Sequence, residues 1–228
     1  MHNFLSTFYT WEGNFEFVLW SQGISKALFW SQTHKNNNLI HSYILTHHQD
    51  IYIKYRKQID FLFGEYSNNS IHVWYDNISD RIKLYIGLYH QDLRWWLEII
   101  QNIKDNFAIK APYLLEPDFL KLDCVWVDFS SDMLDIKIYE LLKIRWDTIE
   151  LLGINNSDIK EVGVLKNHTW RKKKFYRFWN LQDISVFQET FDIDLIDDFQ
   201  KKIKNFYVFK KQVKYYCTEE GKKEIYFI

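Results

Sequence analysis

The stretch Arg81-Ile82-Lys83-Leu84-Tyr85 decides the fold that we expect for this chain. At the period of a β-strand, its first, third and fifth residues lie on one face and its two aliphatic residues on the other. The aliphatic face is ordinary. The other face carries two cations beside a phenol ring, a set that neither a protein core nor a plain solvent surface requires. The pattern therefore predicts that this face of the strand has a binding or catalytic function.

A related pattern, with a basic residue two positions before a tyrosine, occurs elsewhere in the chain. It returns at Asp135–Tyr139, at Lys172–Tyr176 and, in a weaker form with Glu224 in the basic position, at Lys222–Tyr226. The repetition indicates that several strands carry the same basic and aromatic face. We expect these strands to close into a barrel whose interior holds an anionic ligand among aromatic rings.

Composition limits the classes of protein that the chain can belong to. Its 228 residues, 47% of them hydrophobic, suit one globular domain over residues 1–228. The net charge is -1, so the chain lacks the basic excess of a general nucleic-acid coat, and any anion site must be local. Cys124 and Cys217 form neither a disulfide framework nor a zinc motif. Without a signal peptide or an apolar run of membrane-spanning length, a cytoplasmic protein is expected.

Apolar alternation and turn residues predict five hairpins separated by mainly helical connectors. The hairpins pair residues 14–20 with 26–32, 70–75 with 81–89, 119–129 with 133–140, 159–165 with 172–179, and 206–217 with 222–228. Helical spacing appears from residue 39 to 63, over 91–104, over 146–152, and in two pieces at 184–191 and 195–203.

This order of elements predicts an α+β fold. Consecutive hairpins give an antiparallel sheet, and the connectors provide helices to cover one of its faces. Ten strands can curl into a closed barrel, which removes both exposed edges. Aliphatic residues such as Ile82 and Ile136 would then face the helices, and the polar and aromatic face would line the interior.

The middle hairpin carries a family resemblance. Leu122-Asp123-Cys124-Val125-Trp126-Val127-Asp128-Phe129, a short turn and Asp135-Ile136-Lys137-Ile138-Tyr139 resemble the middle hairpin of ABBA-type (PT-barrel) prenyltransferases, in particular the bacterial aromatic and cyanobactin peptide members. The stretch from Arg81 to Tyr85 is similar to the basic-x-Tyr strands that bind diphosphate in the indole-modifying members. The chain departs from the family in lacking a helical stretch before the first hairpin, and in carrying Glu224 where a second cation is expected.

The resemblance implies a transferase of secondary-metabolite or ribosomal-peptide biosynthesis. Such an enzyme moves a prenyl group, expected here to be dimethylallyl, from a prenyl diphosphate to an aromatic small molecule or a peptide side chain. It implies no required cofactor, with magnesium left open, and no metal-binding residue. We further expect a monomer that binds neither nucleic acid nor membrane.

The resemblance also assigns residues to roles. Ionisation of the donor leaves a diphosphate, which needs preorganised cations, and an allylic cation, which electron-rich ring faces stabilise. The implied diphosphate ligands are Lys26, Arg81, Lys83, Lys137, Lys172 and Lys174. The implied cation shield is Tyr85, Tyr139, Tyr176, Tyr216 and Tyr226, with Trp20 and Trp126 as further candidates. The register of residues 171–179 stays open, because Arg171, Lys173 and Arg177 could line the interior instead.

Glu16 lies among aromatic residues on the first predicted strand and is implied as the general base that collects the proton lost from the acceptor. Two other functions compete with this one. A non-catalytic barrel or cup could bind a hydrophobic or aromatic ligand, and would need no group of cations at one depth. A binder of single-stranded nucleic acid would need exposed aromatic rings beside lysines.

Overall fold

The computed structural model of the protein describes residues 1–8, 13–20, 23–30, 33–87, 92–143, 159–179, 201, 213–220 and 223–227. Within these ranges, four α-helices are α1 (His2–Phe8), α2 (Asn37–His47), α3 (Gln49–Glu65) and α4 (Leu93–Asn106). The strands are β1 (Asn14–Trp20), β2 (Gly23–Trp30), β3 (Ile71–Asp76), β4 (Arg81–Gly87), β5 (Phe119–Phe129), β6 (Leu134–Leu142), β7 (Ile159–Asn167), β8 (Lys172–Trp179), β9 (Val213–Thr218) and β10 (Lys223–Phe227).

The strands form a single antiparallel sheet in which each strand pairs with the next along the chain. The first and last strands also meet, since β1 pairs with β10 at one position, Phe17 opposite Phe227. The predicted antiparallel sheet with accompanying helices is thus confirmed. The pair between Phe17 and Phe227 is the contact that joins β10 to β1.

One face of the sheet packs against the helices, and we call it the outer face. Ile82, Leu84 and Ile86 of β4 belong to one buried cluster with Ile44 of α2 and Ile100 of α4. Aliphatic residues of the neighbouring strands β3, β5 and β6 join the same cluster. Burial of these side chains, each worth about 1.5–3 kcal/mol, fixes the register, because a slip by one residue would turn them all to the opposite face.

The helices follow from ordinary sequence signals. The Asp92 side chain caps α4 by accepting a hydrogen bond from the backbone N–H of Trp95 at 2.9 Å. Apolar residues at helical spacing then turn one stripe of α4 toward the sheet, including Trp96 and Ile103. The predicted helix over 39–63 is present but divided, with α2 ending and α3 beginning around His48.

One expectation about the N-terminus was wrong. A short helix, α1, precedes the first hairpin, and its Phe4 and Phe8 are fully buried. The Phe8 ring stacks on Phe29 of β2 with 4.6 Å between centroids. Seven residues with three apolar positions are too short for a clear helical period, so this helix depends on its contacts with the sheet.

Other predicted segments lie outside the described residues. These are the helices expected over 146–152, 184–191 and 195–203, apart from residue 201, and residues 206–212 of the fifth hairpin. Among the helices that are described, none combines the length and the apolar character needed to cross a bilayer.

Candidate active site on the inner face of the sheet

The face of the sheet opposite the helices, which we call the inner face, carries alternate residues of β4. Because Ile82 and Leu84 point to the outer core, Lys83 and Tyr85 belong to the inner face. Cross-strand pairing extends this face, since Lys83 lies opposite Trp74 on one side and Asp128 on the other. The basic and aromatic residues of β4 thus lie on the predicted side of the sheet.

Six aromatic rings run across the inner face as a continuous series, which we call the aromatic belt. Its members are Tyr226 (β10), Trp74 (β3), Tyr85 (β4), Trp126 (β5), Tyr139 (β6) and Phe175 (β8). Successive ring centroids are separated by 5.7, 6.4, 4.6, 5.6 and 5.5 Å. The three central contacts are stacked and the two outer ones are edge-on. The belt presents electron-rich surface of the kind that stabilises a carbocation or binds an aromatic ligand.

Three lysines, Lys26, Lys83 and Lys137, meet beside this belt, and we call them the lysine cluster. The ammonium groups of Lys83 and Lys137 lie 4.7 and 4.9 Å from the ring centroid of Trp126. Lys26 is close enough for its charge, like that of Lys137, to act on Lys83. Three of the predicted diphosphate ligands therefore converge on one part of the inner face.

The environment of Lys83 is unfavourable for its charge. Its side chain is only 9% exposed, and this burial is the main reason that its pKa falls from 10.5 to about 8. Asp128 and Asp76 raise the pKa, whereas Lys26 and Lys137 lower it. Lys83 is a cation for which the protein provides incomplete compensation, as expected of a group that awaits an anionic ligand.

The carboxylates that face the lysine cluster lie at long contact distances. Asp128 Oδ2 is 3.8 Å from Lys83 Nζ and 3.5 Å from Lys137 Nζ. Lys137 is also 3.4 Å from Asp135, and Lys26 is 3.4 Å from Glu224. Charge-assisted N–H···O bonds are usually about 2.7–2.9 Å long. These four contacts are longer, so the ammonium protons retain capacity for a further acceptor.

Two other buried basic residues provide a contrast within the same protein. Lys166 lies 2.7 Å from Glu140 and 2.8 Å from Glu116 on the outer face, beneath the connector that precedes β5. Arg177 on the inner face lies 2.7 Å from Asp123 and 3.0 Å from Glu161. Burial disfavours the charge of Arg177, but its two carboxylate partners outweigh this effect and raise its pKa. These two cations have close partners and serve the structure.

Indole groups add unpaired donors to the inner face. The Nε1 atoms of Trp30, Trp74 and Trp126 are buried and have no hydrogen-bond partner among the described residues. A buried N–H without an acceptor is costly, and such groups usually find one in a water molecule or a ligand. The donors of the inner face would therefore suit a ligand rich in oxygen acceptors.

Glu16, the predicted base, is 6% exposed and lies opposite Leu28, which belongs to an inner-face cluster with Trp74. Burial raises the pKa of Tyr85 well above its usual value, and the charges of neighbouring groups, Glu16 among them, add to this effect. Glu16 therefore lies near the middle of the aromatic belt. Of the other predicted shield residues, Tyr139 and Tyr226 belong to the belt.

The structure does not bring every predicted residue to the inner face. In β8 the structure has the alternative register that the sequence left open. Tyr176 is buried in the outer core, Lys172 pairs with Glu116 at 2.8 Å, and Lys174 pairs with Glu219 at 3.4 Å. The alternate residues Phe175 and Arg177 occupy the inner face instead. The reason is packing against β7, where Val162 and Val164 lie opposite Tyr176 and Lys174 on the outer side.

The remaining predictions concern the ends of the strands. Arg81 lies opposite Asp76 where the β3–β4 hairpin turns. It is two residues from Lys83 in β4 and therefore lies on the same face of the sheet. Tyr216 lies opposite Arg177 in the strand register, but its side chain, like that of Trp20, lies outside the described residues. Within the described ranges, no group of three or more His, Cys, Asp or Glu side chains is placed to hold a metal ion.

Sequence reasoning missed the roles of Trp74 and Asp128. Trp74 alternates with His72 and Asp76 on a strand whose other face is apolar, and this signal matches the one in β4. Asp128 appeared only as part of a family motif, although its position opposite Lys83 follows once β4 and β5 are paired.

The chain is similar in fold to two enzymes of known structure. The chain is similar to the crystal structure of the prenyltransferase PriB, with a TM-score of 0.57 and 9% sequence identity, over 95% of this chain and 79% of that one. The same enzyme in a ternary complex with L-tryptophan and dimethylallyl thiolodiphosphate also gives a TM-score of 0.57, at 9% identity.

A second enzyme with this fold is 5-dimethylallyltryptophan synthase from Streptomyces coelicolor. Its TM-score is 0.55 at 5% identity, with 95% of this chain and 80% of that chain covered. At the level of sequence, no family model and no curated protein matches the chain.

Proposed function

We propose that this protein transfers a prenyl group from a prenyl diphosphate to an aromatic or peptide side-chain acceptor, within a closed ten-stranded barrel. The observation that carries the proposal is the lysine cluster, whose long contacts leave its ammonium groups available to an anion beside the aromatic belt. The shared fold supports it, because one neighbour was crystallised with an aromatic amino acid and a dimethylallyl diphosphate analogue. The pairing of Phe17 with Phe227 supports a closed barrel.

In the proposed reaction, the bond between the allylic carbon and the diphosphate oxygen breaks first. The electron pair of that bond leaves with diphosphate, which Lys26, Lys83 and Lys137 bind. Fixed cations stabilise this developing charge more strongly than water does, since they need no reorganisation during the step. Arg81 lies on the same face and adds a fourth cation near the turn end.

The allylic cation then lies along the aromatic belt, where Tyr85, Trp126 and Tyr139 stabilise it through their ring faces. The acceptor attacks the cation, and a carbon–carbon or carbon–heteroatom bond forms. Glu16 takes the proton that the acceptor loses. The products are the prenylated acceptor, diphosphate and a proton, so the reaction is balanced without an oxidant or a reductant.

We further propose dimethylallyl diphosphate as the donor, and a tryptophan-like or tyrosine-like ring, free or within a peptide, as the acceptor. The protein would act as a cytoplasmic monomer of one domain over residues 1–228, in secondary-metabolite or peptide-product biosynthesis. The basis is the resemblance of the middle hairpin together with the shared fold.

The test is release of diphosphate from dimethylallyl diphosphate in the presence of tryptophan or a tyrosine-containing peptide. Lys83→Ala and Lys137→Ala should each lower the rate about 100-fold, the effect typical of losing one group that stabilises developing negative charge. Lys174→Ala is the matched control, because Lys174 lies on the outer face beside Glu219 and should leave the rate unchanged. A rate unaffected by both inner-face substitutions would refute the assignment.

A second candidate function is non-catalytic binding of an aromatic or hydrophobic ligand. The observation that favours it is the contact between Lys26 and Glu224, because this carboxylate reduces the positive charge of the lysine cluster. Calorimetry distinguishes the two functions. If the protein is a transferase, it should bind inorganic diphosphate through Lys83. If it is a non-catalytic binding protein, it should bind an aromatic compound and should not bind diphosphate.

A further inference from the structure

Asp128 has an unusual position among the groups of the candidate site. It lies in β5 directly opposite Lys83, its side chain is 3% exposed, and one oxygen, Oδ2, contacts both Lys83 and Lys137. The other oxygen, Oδ1, is buried without a hydrogen-bond partner among the described residues. A carboxylate with a structural role normally satisfies both oxygens, as Glu140 does through Lys166 and the backbone N–H of Glu116.

The backbone holds Asp128 in place. Its chain neighbours Val127 and Phe129 are buried in the outer core, and β5 is hydrogen-bonded to strands on both sides. A rotation of the side chain can lengthen its contacts with the lysines, but the carboxylate cannot leave their neighbourhood. An anion that binds Lys83 and Lys137 must therefore share these cations with a fixed negative charge.

We propose that Asp128 is a resident counter-ion that competes with diphosphate for Lys83 and Lys137. This inference rests on the proposed diphosphate site and adds a residue that governs its affinity. In the free protein the Asp128 carboxylate partly neutralises two lysines that would otherwise repel each other in a buried position. When diphosphate binds, it supplies shorter contacts to the same ammonium groups, and the repulsion from Asp128 limits how tightly the anion is held.

Weakened product binding has a functional consequence. Diphosphate is also the product that must leave after each turnover, and a fixed carboxylate behind the two lysines favours its departure. Asp128 would thus govern the affinity for diphosphate through Lys83 and Lys137, without touching the reacting atoms. The protein would exchange some ground-state affinity for faster release.

The test compares the binding of inorganic diphosphate to the wild type and to Asp128→Asn by calorimetry at pH 6.5. The substitution keeps the size of the side chain and removes its charge. We expect the dissociation constant to fall at least tenfold, since the substitution removes one like charge from a buried anion site. Glu220→Gln removes the same charge at the exposed β9–β10 turn, where Glu220 pairs with Lys173, and should leave the affinity unchanged.

A pH series separates electrostatic competition from a structural role. The charged groups that face Lys83 are Asp128, Asp76, Lys26 and Lys137, and Asp128 is the strongest of those that raise its pKa. Asp128→Asn therefore removes a group that helps to keep Lys83 protonated. The gain in diphosphate affinity should be largest at pH 6.5 and should shrink as the pH rises above 8, whereas a variant that merely disturbs packing would show one affinity change at all pH values.

The possible outcomes distinguish this inference from the proposed function. If wild-type protein binds diphosphate and Lys83→Ala does not, but Asp128→Asn binds with equal or lower affinity, then Asp128 orients the lysines and the competition is refuted. If neither the wild type nor Asp128→Asn binds diphosphate, the proposed site is wrong and the competition with it. Asp128→Ser repeats the test with a smaller side chain, and equal gains in both variants would support competition.

Discussion

Replacing Lys83 by methionine should stabilise the fold while it abolishes the binding of diphosphate. The side chain of Lys83 is almost fully buried, and the nearest carboxylate oxygen is 3.8 Å from its ammonium group. Its pKa of about 8 means that the folded state binds the proton less tightly than the unfolded chain, where the pKa is near 10.5. Each tenfold loss of proton affinity corresponds to about 1.4 kcal/mol, so the charge on Lys83 destabilises the fold by about 3 kcal/mol at pH 7.

The sign of the pH dependence follows from the same difference. Between pH 8 and about 10.5 the unfolded state holds a proton on this lysine that the folded state has released. Stability therefore rises with pH across this window, and the destabilisation caused by Lys83 is complete only below pH 8. By pH 9.5 the advantage of Lys83→Met should shrink from about 3 to about 1 kcal/mol, because the wild type has then lost the buried charge.

The assay is denaturation with guanidinium chloride at pH 7 and pH 9.5, for the wild type, Lys83→Met and Lys174→Met. The last variant removes a lysine from the outer face and should change the free energy of unfolding by less than about 0.5 kcal/mol at both pH values. A Lys83→Met protein that is less stable than the wild type at pH 7, or a stability difference that does not vary with pH, would refute the reasoning.

Two further substitutions test the packing that positions the site. Lys166→Met should destabilise the fold by about 3–5 kcal/mol in the same denaturation assay, because it leaves the fully buried Glu140 without its cation; a loss below 1 kcal/mol would contradict a structural role for this pair. Gly163→Ala should lower stability by about 1–3 kcal/mol, since its new Cβ would lie 2.3 Å from the Phe175 ring and 2.6 Å from the Glu140 carbonyl oxygen. Gly64→Ala in α3 is the control, with open space around its Cβ, and should be neutral or stabilising.

Sequence alternation predicted the inner face well in the strands whose other face is mainly aliphatic. In β4 and β6, residues such as Leu84 and Ile138 have no stable place except the helix-facing core. Their burial fixes the orientation of the intervening residues, so Lys83, Lys137 and Tyr139 could be assigned to the inner face from the pattern alone.

Alternation failed in β8 because the sequence there offers both faces similar residues. Basic residues stand at four consecutive positions from 171 to 174, and two aromatic residues, Phe175 and Tyr176, follow side by side. The choice is made by β7, where Gly163 provides the space for the Phe175 ring and the valines on either side face the outer core. That information lies in a different strand, and it becomes usable only when the pairing of β7 with β8 is known.

The sequence also could not separate lysines that hold the structure together from lysines that await a ligand. Lys137 lies in a predicted strand and Lys166 directly follows one, and both have carboxylates near them in space. The difference is in contact length: 2.7–2.8 Å between Lys166 and its partners, and 3.4–3.5 Å between Lys137 and its partners. A buried cation with close partners gains enough from them to offset its desolvation, whereas a buried cation with distant partners does not.

This difference predicts opposite signs for two superficially identical substitutions. Methionine at position 166 removes a cation that two close carboxylates compensate, and it leaves the fully buried Glu140 without a cationic partner. Methionine at position 83 removes a cation that is poorly compensated, and Asp128 keeps Lys137 as its partner. An anion site that is ready before its ligand arrives must contain such uncompensated charge, because a cation fully satisfied within the protein would gain little from diphosphate. If both substitutions destabilise the fold, the lysine cluster is a structural element, and the inner face has no preformed anion site at Lys83.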